Sequence, residues 1–214
     1  MALKENIEAF AVRQALSYLD KDPEKNLPKL VDWFDRFDRK NTLKTQRDLI
    51  RGVVMVKGNN WHQLVMSLWK DIDPGVRNKI FENFIINGCL LGYQRQKENK
   101  EKYNCNIPWA ILLDPTSACN LKCTGCWAAE YGNHMNLTYE EMDDIVNQGV
   151  ELGTYVYLFT GGEPLVRKKD IIRLCEEHTD CIFSSFTNGT LIDEAFAQEM
   201  LRVKNFVPAI SIEG

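Results

Sequence analysis

The sequence predicts two architectures in succession, an all-α region and then an α/β region built on a parallel sheet. Three observations predict this. Apolar residues in the first half recur at helical spacing. In the second half, apolar runs of strand length alternate with helical stretches. Charge divides at the same place: residues 1–104 hold 19 Lys+Arg against 14 Asp+Glu, a balance of +5, whereas residues 105–214 hold 7 against 16, a balance of −9. These place a helical domain over residues 1–104 and an α/β domain over 105–214, joined at the polar stretch Gln94–Lys102.

The helices of the first half can be taken in order. Leu3, Ile7, Phe10, Ala11, Tyr18 and Leu19 lie on one face of the first. Asp22-Pro23 is a cap followed by proline at the first helical position, and it leads to Leu30, Val31, Phe34 and Phe37. A third helix is expected from about Leu43 to Met55, and a fourth carries Trp61, Leu64, Val65, Leu68 and Trp69. Asp73-Pro74 opens a long fifth, with Ile80, Phe81, Phe84, Ile85 and Leu91 along its stripe. The aromatic and methionine residues of these stripes are expected to form core. His62 has no partner at a metal-binding offset.

The second half reads strand, helix, strand, helix, strand, helix, strand. The strands are Trp109–Leu113, Tyr155–Phe159, Cys181–Phe186 and Val207–Ile212. Thr138 and Glu141 form a capping box whose helix closes at Gly153. A second helix runs from Lys169 to His178, and Asp193 caps a third, through about Val203. This alternation is the pattern of a parallel sheet with crossover helices. The strands are apolar on both faces, as a covered parallel sheet requires.

Composition narrows the function. The 214 residues are 44% hydrophobic, enough for a core. No run approaches the about 20 apolar residues of a membrane helix, so no membrane association is expected. The start lacks a basic segment leading into an apolar one, which argues against a secretory signal. Seven cysteines is an odd number, so they are expected as reduced thiols or metal ligands in the cytoplasm rather than as a disulfide framework. The basic charges of the first half are dispersed, so nucleic-acid binding is not expected.

The most informative residues are Cys119, Cys123 and Cys126. Three thiolates spaced four and then three positions apart can wrap one small metal centre, and thiolate suits zinc or an iron–sulfur cluster. Structural zinc wants four ligands, and no fourth is obvious near them. The cysteines follow the first strand, at its C-terminal end, where parallel sheets gather their sites. Gly161-Gly162-Glu163-Pro164 occupies the same place after the second strand. Its glycines let the backbone approach a ligand closely. Glu163 offers a carboxylate that can pair with an ammonium group, and Pro164 stiffens the turn. Thr187-Asn188-Gly189-Thr190 and Ser211-Ile212-Glu213-Gly214 follow strands three and four, completing a rim.

Together, Cys119-x-x-x-Cys123-x-x-Cys126 and Gly161-Gly162-Glu163-Pro164 resemble the radical S-adenosylmethionine (radical SAM) superfamily over about residues 108–214. The resemblance implies a partial TIM-like (β/α) barrel of about four of six strand–helix units. It implies that Cys119, Cys123 and Cys126 hold a 4Fe–4S cluster whose open iron is chelated by S-adenosyl-L-methionine. The reduced cluster would cleave that cofactor to methionine and a 5′-deoxyadenosyl radical, which abstracts hydrogen from a substrate. Gly161, Gly162, Glu163 and Pro164 would meet the methionine end of the cofactor, with Glu163 near its amino group. Asn188 would line the pocket, and Ser211, with Glu213, would lie toward the ribose. A small electron donor such as flavodoxin or ferredoxin would be the partner, and a peptide or a cofactor precursor the favoured substrate.

The sequence departs from the family at Gly125, where members often carry a bulky residue; here Trp127 follows Cys126 instead. The ending at Gly214 is expected to cut the barrel after its fourth strand. Glu130, Tyr131 and His134 are expected as ordinary loop residues, and Cys89, Cys105, Cys175 and Cys181 as structural thiols. The competing readings are an iron–sulfur electron-transfer module, a zinc-ribbon-like structural site and a catalytically incompetent fragment.

Overall fold

A computed structural model of the chain describes residues 2–37, 44–126, 128 and 132–212. Packing divides it into two compact units, Met1–Asn78 and Lys79–Gly214.

The first unit is helical: α1 (Ala2–Lys21), α2 (Pro23–Phe37), α3 (Lys44–Leu49) with a π-helical turn (Ile50–Val54), α4 (Asn60–Lys70) and the start of α5 (Pro74–Glu82). Side chains cap the helix starts, at Asp22 and Asp73 as the sequence predicts and also at Asn59. Asp22 accepts from the Lys25 N–H, Asn59 from Trp61 and Asp73 from Val76. Asp20 is the polar hub. Its carboxylate accepts from Trp69 Nε1 at 3.0 Å, Arg77 at 2.9 Å and Asn78 at 2.8 Å. Ala9, Leu19 and Val31 are buried, but much of the expected aromatic core is not: Phe10, Phe34 and Trp61 are exposed. A unit of this size has too little interior to cover every apolar stripe.

The second unit begins in α5 and continues through a π-helix (Asn83–Gly92) into α6 (Tyr93–Tyr103). The 3.6-residue stripe does not survive the wider π winding. Asn83, Ile86 and Gly92 are buried, while Phe84 is exposed. Asn83 Nδ2 donates to the carbonyls of Thr179 and Cys181 at 2.9 and 2.8 Å. The polar stretch read as a joint is a helix that packs against this unit. Arg95, Gln96 and Asn99 donate to the carbonyls of Val150, Gly153 and Glu151. These carbonyls lie at the C-terminal end of the next helix (Tyr139–Leu152), where backbone acceptors run short of intrahelical donors; that of Val150 also accepts from the Gly153 N–H. The change of charge at 104/105 marks where helix gives way to strand, and the packing division falls earlier.

Four strands form one parallel sheet in the order β1-β2-β3-β4: β1 (Ile111–Thr116), β2 (Val156–Gly161), β3 (Ile182–Thr187) and β4 (Phe206–Ile210). The crossovers are α7 (Tyr139–Leu152), α8 (Lys168–Glu177) and α9 (Glu194–Val203). The capping box of Thr138 and Glu141 is present, Gly153 closes α7 at φ 101°, and Asp193 caps α9. One face of the sheet carries the core: Tyr157, Phe159 and Phe183, stacked at 5.5 and 5.8 Å, with Met142, Val146, Ile171 and Leu174 fully buried around them. On the other face Leu112, Asp114 and Phe186 are exposed, so among the described residues the sheet is not covered on both faces as its apolar strands predict. Cys175 and Cys181 lie in the core, where burial pushes both thiols far above their ordinary value. No described helix is long and apolar enough to cross a membrane.

Candidate active site

The cysteines lie on an excursion from the end of β1. Its feet are stitched together. Ser117 N–H donates to the Met135 carbonyl at 2.8 Å, and Leu137 N–H to that of Pro115 at 3.2 Å. Thr116 bridges Asn136 in antiparallel fashion, and Arg167 donates to the Pro115 and Leu137 carbonyls. The loop therefore leaves and returns at one point above the sheet.

On it, Cys119 and Cys126 are half-buried, Cys123 is exposed, and all three are free thiols. Cys126 N–H donates to the Cys123 carbonyl at 3.3 Å, a turn with Gly125 at φ 76°. The Leu121 N–H donates to Cys119 Sγ at 3.4 Å. Cys119 and Cys123 line a cleft of about 480 Å³ with Lys122 and His134; Cys126 is not in its lining. Among the described residues no three His, Cys, Asp or Glu side chains converge on a metal-sized point. The donor set itself fits an iron–sulfur centre, being three soft thiols on one loop, none tied up in a disulfide.

The glycines of the second motif sit under this loop. A Cβ on Gly161, which has φ 100°, would meet Thr116 O at 2.7 Å. One on Gly162 would clash with Ala118 O and stand 2.6 Å from Ser117 O. Gly162 N–H donates to Thr116 O at 3.0 Å, and Glu163 N–H to Ala118 O at 2.8 Å. The close backbone approach expected for a ligand is made by the cysteine loop itself.

Glu163 is 1% exposed. Its Oε1 accepts from the Leu165 N–H at 2.9 Å and the Thr187 hydroxyl at 2.7 Å, and its Oε2 from the Asn188 N–H at 2.9 Å. A carboxylate has about four acceptor positions, so one is left over for a further donor. Glu163 also caps the 3₁₀ turn Pro164–Arg167, in which Pro164 is buried at the first position. Burial of so many satisfied donors makes this carboxylate the brace between the ends of β2 and β3.

The Asn188 side chain turns to the cysteine loop, where its Nδ2 donates to Asn120 Oδ1 at 2.9 Å. Asn120 Nδ2 donates in turn to the Thr190 hydroxyl at 2.8 Å. Ser211 lies just past β4, exposed, its N–H donating to the Thr187 carbonyl at 2.8 Å. The structure thus gathers the cysteine loop, Gly161–Pro164 and Asn188, and leaves Ser211 one strand away. A second cleft of about 540 Å³ is lined by Asp114, His134, Asn136, Gly161 and Gly162. Trp127, Glu130, Tyr131, Glu213 and Gly214 lie outside the described residues. The sequence reading missed Asn120 and Asp114, and named Thr190 only as part of the loop after the third strand. Asn120 had one signal, its place directly after Cys119.

Comparison with known proteins bears on this rim. Residues 113–214 match the profile of the Radical SAM superfamily. An Fe-coproporphyrin III synthase of Methanosarcina barkeri is 34% identical over 112 residues, covering 49% of this chain and 27% of that protein. A GTP 3′,8-cyclase of Thermodesulfovibrio yellowstonii is 35% identical over 109 residues, 47% and 33% of the two chains. A cysteine-type anaerobic sulfatase-maturating enzyme of Clostridium perfringens is 32% identical over 124 residues, 50% and 33%. The aligned stretches thus cover a third or less of these relatives' own lengths. The matched segment opens in β1 and contains the three cysteines, the glycine pair and the sheet that carries them: it is the α/β half of this chain, residues 113–214, that matches the radical SAM superfamily.

Proposed function

We propose that the chain serves a radical SAM enzyme in which Cys119, Cys123 and Cys126 hold a 4Fe–4S cluster and the adjoining rim receives S-adenosyl-L-methionine. When bound, these groups supply reductive cleavage of the cofactor and abstraction of a hydrogen atom from the substrate. One observation carries the reading: the three-cysteine loop lies directly on the Gly161-Gly162-Glu163 turn, at the C-terminal ends of two adjacent parallel strands. The residues divide the work. The thiolates are the metal ligands. Gly161 to Pro164 shape the turn for the methionine end of the cofactor, and Glu163 keeps one acceptor position for its ammonium group. Ser211, at the end of β4, faces the ribose side of the same rim. The cleft beside Asp114 and His134 takes the substrate, a peptide or a cofactor precursor. The names of the three relatives, which point to an iron porphyrin, GTP and a sulfatase, support that range. A flavodoxin or ferredoxin supplies the electron, in the cytoplasm, where seven free thiols stay reduced.

Anaerobic reconstitution with iron and sulfide tests this. The protein turns brown and binds about four iron atoms per chain. Replacing Cys119, Cys123 and Cys126 together with Ala abolishes both. With dithionite and S-adenosyl-L-methionine, the loaded protein releases 5′-deoxyadenosine, which a simple electron carrier does not. A colourless protein holding a single zinc overturns the assignment.

A further inference from the structure

The side chains of Asn120, Asn188 and Thr190 close into a ring. Asn188 Nδ2 donates to Asn120 Oδ1 at 2.9 Å, Asn120 Nδ2 to Thr190 Oγ1 at 2.8 Å, and Thr190 Oγ1 to Asn188 Oδ1 at 2.6 Å. Each member donates and accepts once around the ring, the arrangement in which hydrogen bonds strengthen one another. The Thr190 N–H also donates to Asn188 Oδ1 at 2.9 Å. Both ends of the Asn188 amide are thereby used within the protein.

The ring joins segments that the sheet keeps apart. Asn120 follows β1, Asn188 and Thr190 follow β3, and β2 lies between those strands. On the other side of Cys119, the Ala118 carbonyl accepts the Glu163 N–H at 2.8 Å, and Glu163 Oε2 accepts the Asn188 N–H. Cys119 therefore stands between two fastened neighbours, both tied to Glu163 or to Asn188. Among the described residues, Cys123 and Cys126 are held by the 3.3 Å bond of their own turn.

We propose that Asn120, Asn188 and Thr190 form a latch that positions Cys119 for the metal centre, with Asn188 acting through Asn120 and not by touching S-adenosyl-L-methionine. This rests on the reading of Cys119 as a cluster ligand. Asn188 is then a positioning residue. Cys119 is held in place before metal arrives, and the turn bearing Cys123 and Cys126 closes onto the assembling centre.

The latch is tested first on the metal-free chain, by limiting iodoacetamide with site-by-site mass spectrometry. Asn188→Ala, Asn120→Ala and Thr190→Ala each speed alkylation of Cys119 about fivefold, the size of one ordinary hydrogen bond, and leave Cys123 unchanged. The Asn120→Ala/Asn188→Ala pair is no faster than either single variant, because one broken link opens the ring. Thr190→Ser, which keeps the hydroxyl, behaves as wild type. Cys175 and Cys181 stay unlabelled, which verifies folding in each variant. The second readout is the reduced cluster without S-adenosyl-L-methionine: Asn188→Ala alters its EPR spectrum and speeds loss of iron to a chelator. Equal acceleration at Cys119 and Cys123, or none at either, overturns the latch. So does an Asn188→Ala effect that needs S-adenosyl-L-methionine to be seen. A wild-type chain that binds no iron refutes the cluster reading instead, and the alkylation rates still decide whether the ring holds Cys119.

Discussion

The two arms of the rim are built in opposite ways. The arm after β2 and β3 is satisfied by the protein: three donors meet one buried carboxylate, and glycine backbone packs against backbone. The cysteine arm is anchored at its feet and at Asn120, yet it presents three thiols to the surroundings. The contrast separates two jobs. One arm is a foundation braced within the protein; the other carries three thiols mounted on it.

Four experiments press on this contrast. The largest effect is in thiol reactivity. Cys175 and Cys181 are in the core, where burial suppresses the thiolate, so in the metal-free protein they react at least about 1,000-fold more slowly than Cys123. The same raised pKa values set a pH dependence. The folded state keeps protons that the unfolded chain gives up, so this contribution to stability is full below the ordinary thiol value of 9.0 and falls as pH rises beyond it. Urea titrations at pH 8 and pH 10 measure the decline. Comparable labelling of core and rim thiols in native buffer would erase the distinction.

Next comes Glu163→Ala. It leaves the Leu165 N–H, the Asn188 N–H and the Thr187 hydroxyl without their acceptor and lowers stability by about 3 kcal/mol, read by chemical denaturation. An unchanged midpoint would show that the brace is dispensable. The smallest effect is at the seam between the arms. Gly162→Ala sets a methyl against Ala118 O and Ser117 O, both backbone atoms with no rotamer to yield. It costs about 2 kcal/mol and lowers the iron bound on reconstitution by displacing the loop that bears Cys119. Full iron loading in a destabilised variant would separate the seam from the site.

Most of the α/β half was legible in the sequence because its signals are local. The capping box at Thr138, the closure at Gly153 and the cap at Asp193 are fixed by neighbours within a few residues. Strand positions shifted by one to three residues, since pairing decides where a strand ends: β1 runs on through Asp114 and Pro115 to Thr116, beyond the apolar run. The helical half was less legible. A stripe assumes 3.6 residues per turn, and the π winding of Asn83–Gly92 breaks that assumption. At the rim, residue types were readable and partners were not. Gly162 announces close approach, but only the fold shows that the approaching group is Ala118. Asn188 announces a polar rim residue, but its partner Asn120 is 68 positions away.

The strand order has one more consequence. Because the Asn120–Asn188 bond reaches from β1 to β3 across β2, it closes only when both intervening ladders are in step. A slip of one residue between β2 and β3 would carry Asn188 away from both Glu163 and Asn120 and turn its side chain to the opposite face. The rim is therefore a gauge of the sheet beneath it. A misaligned sheet would fail to present Cys119 at the rim, so under the proposed function register errors made in folding would surface as a failure to load metal.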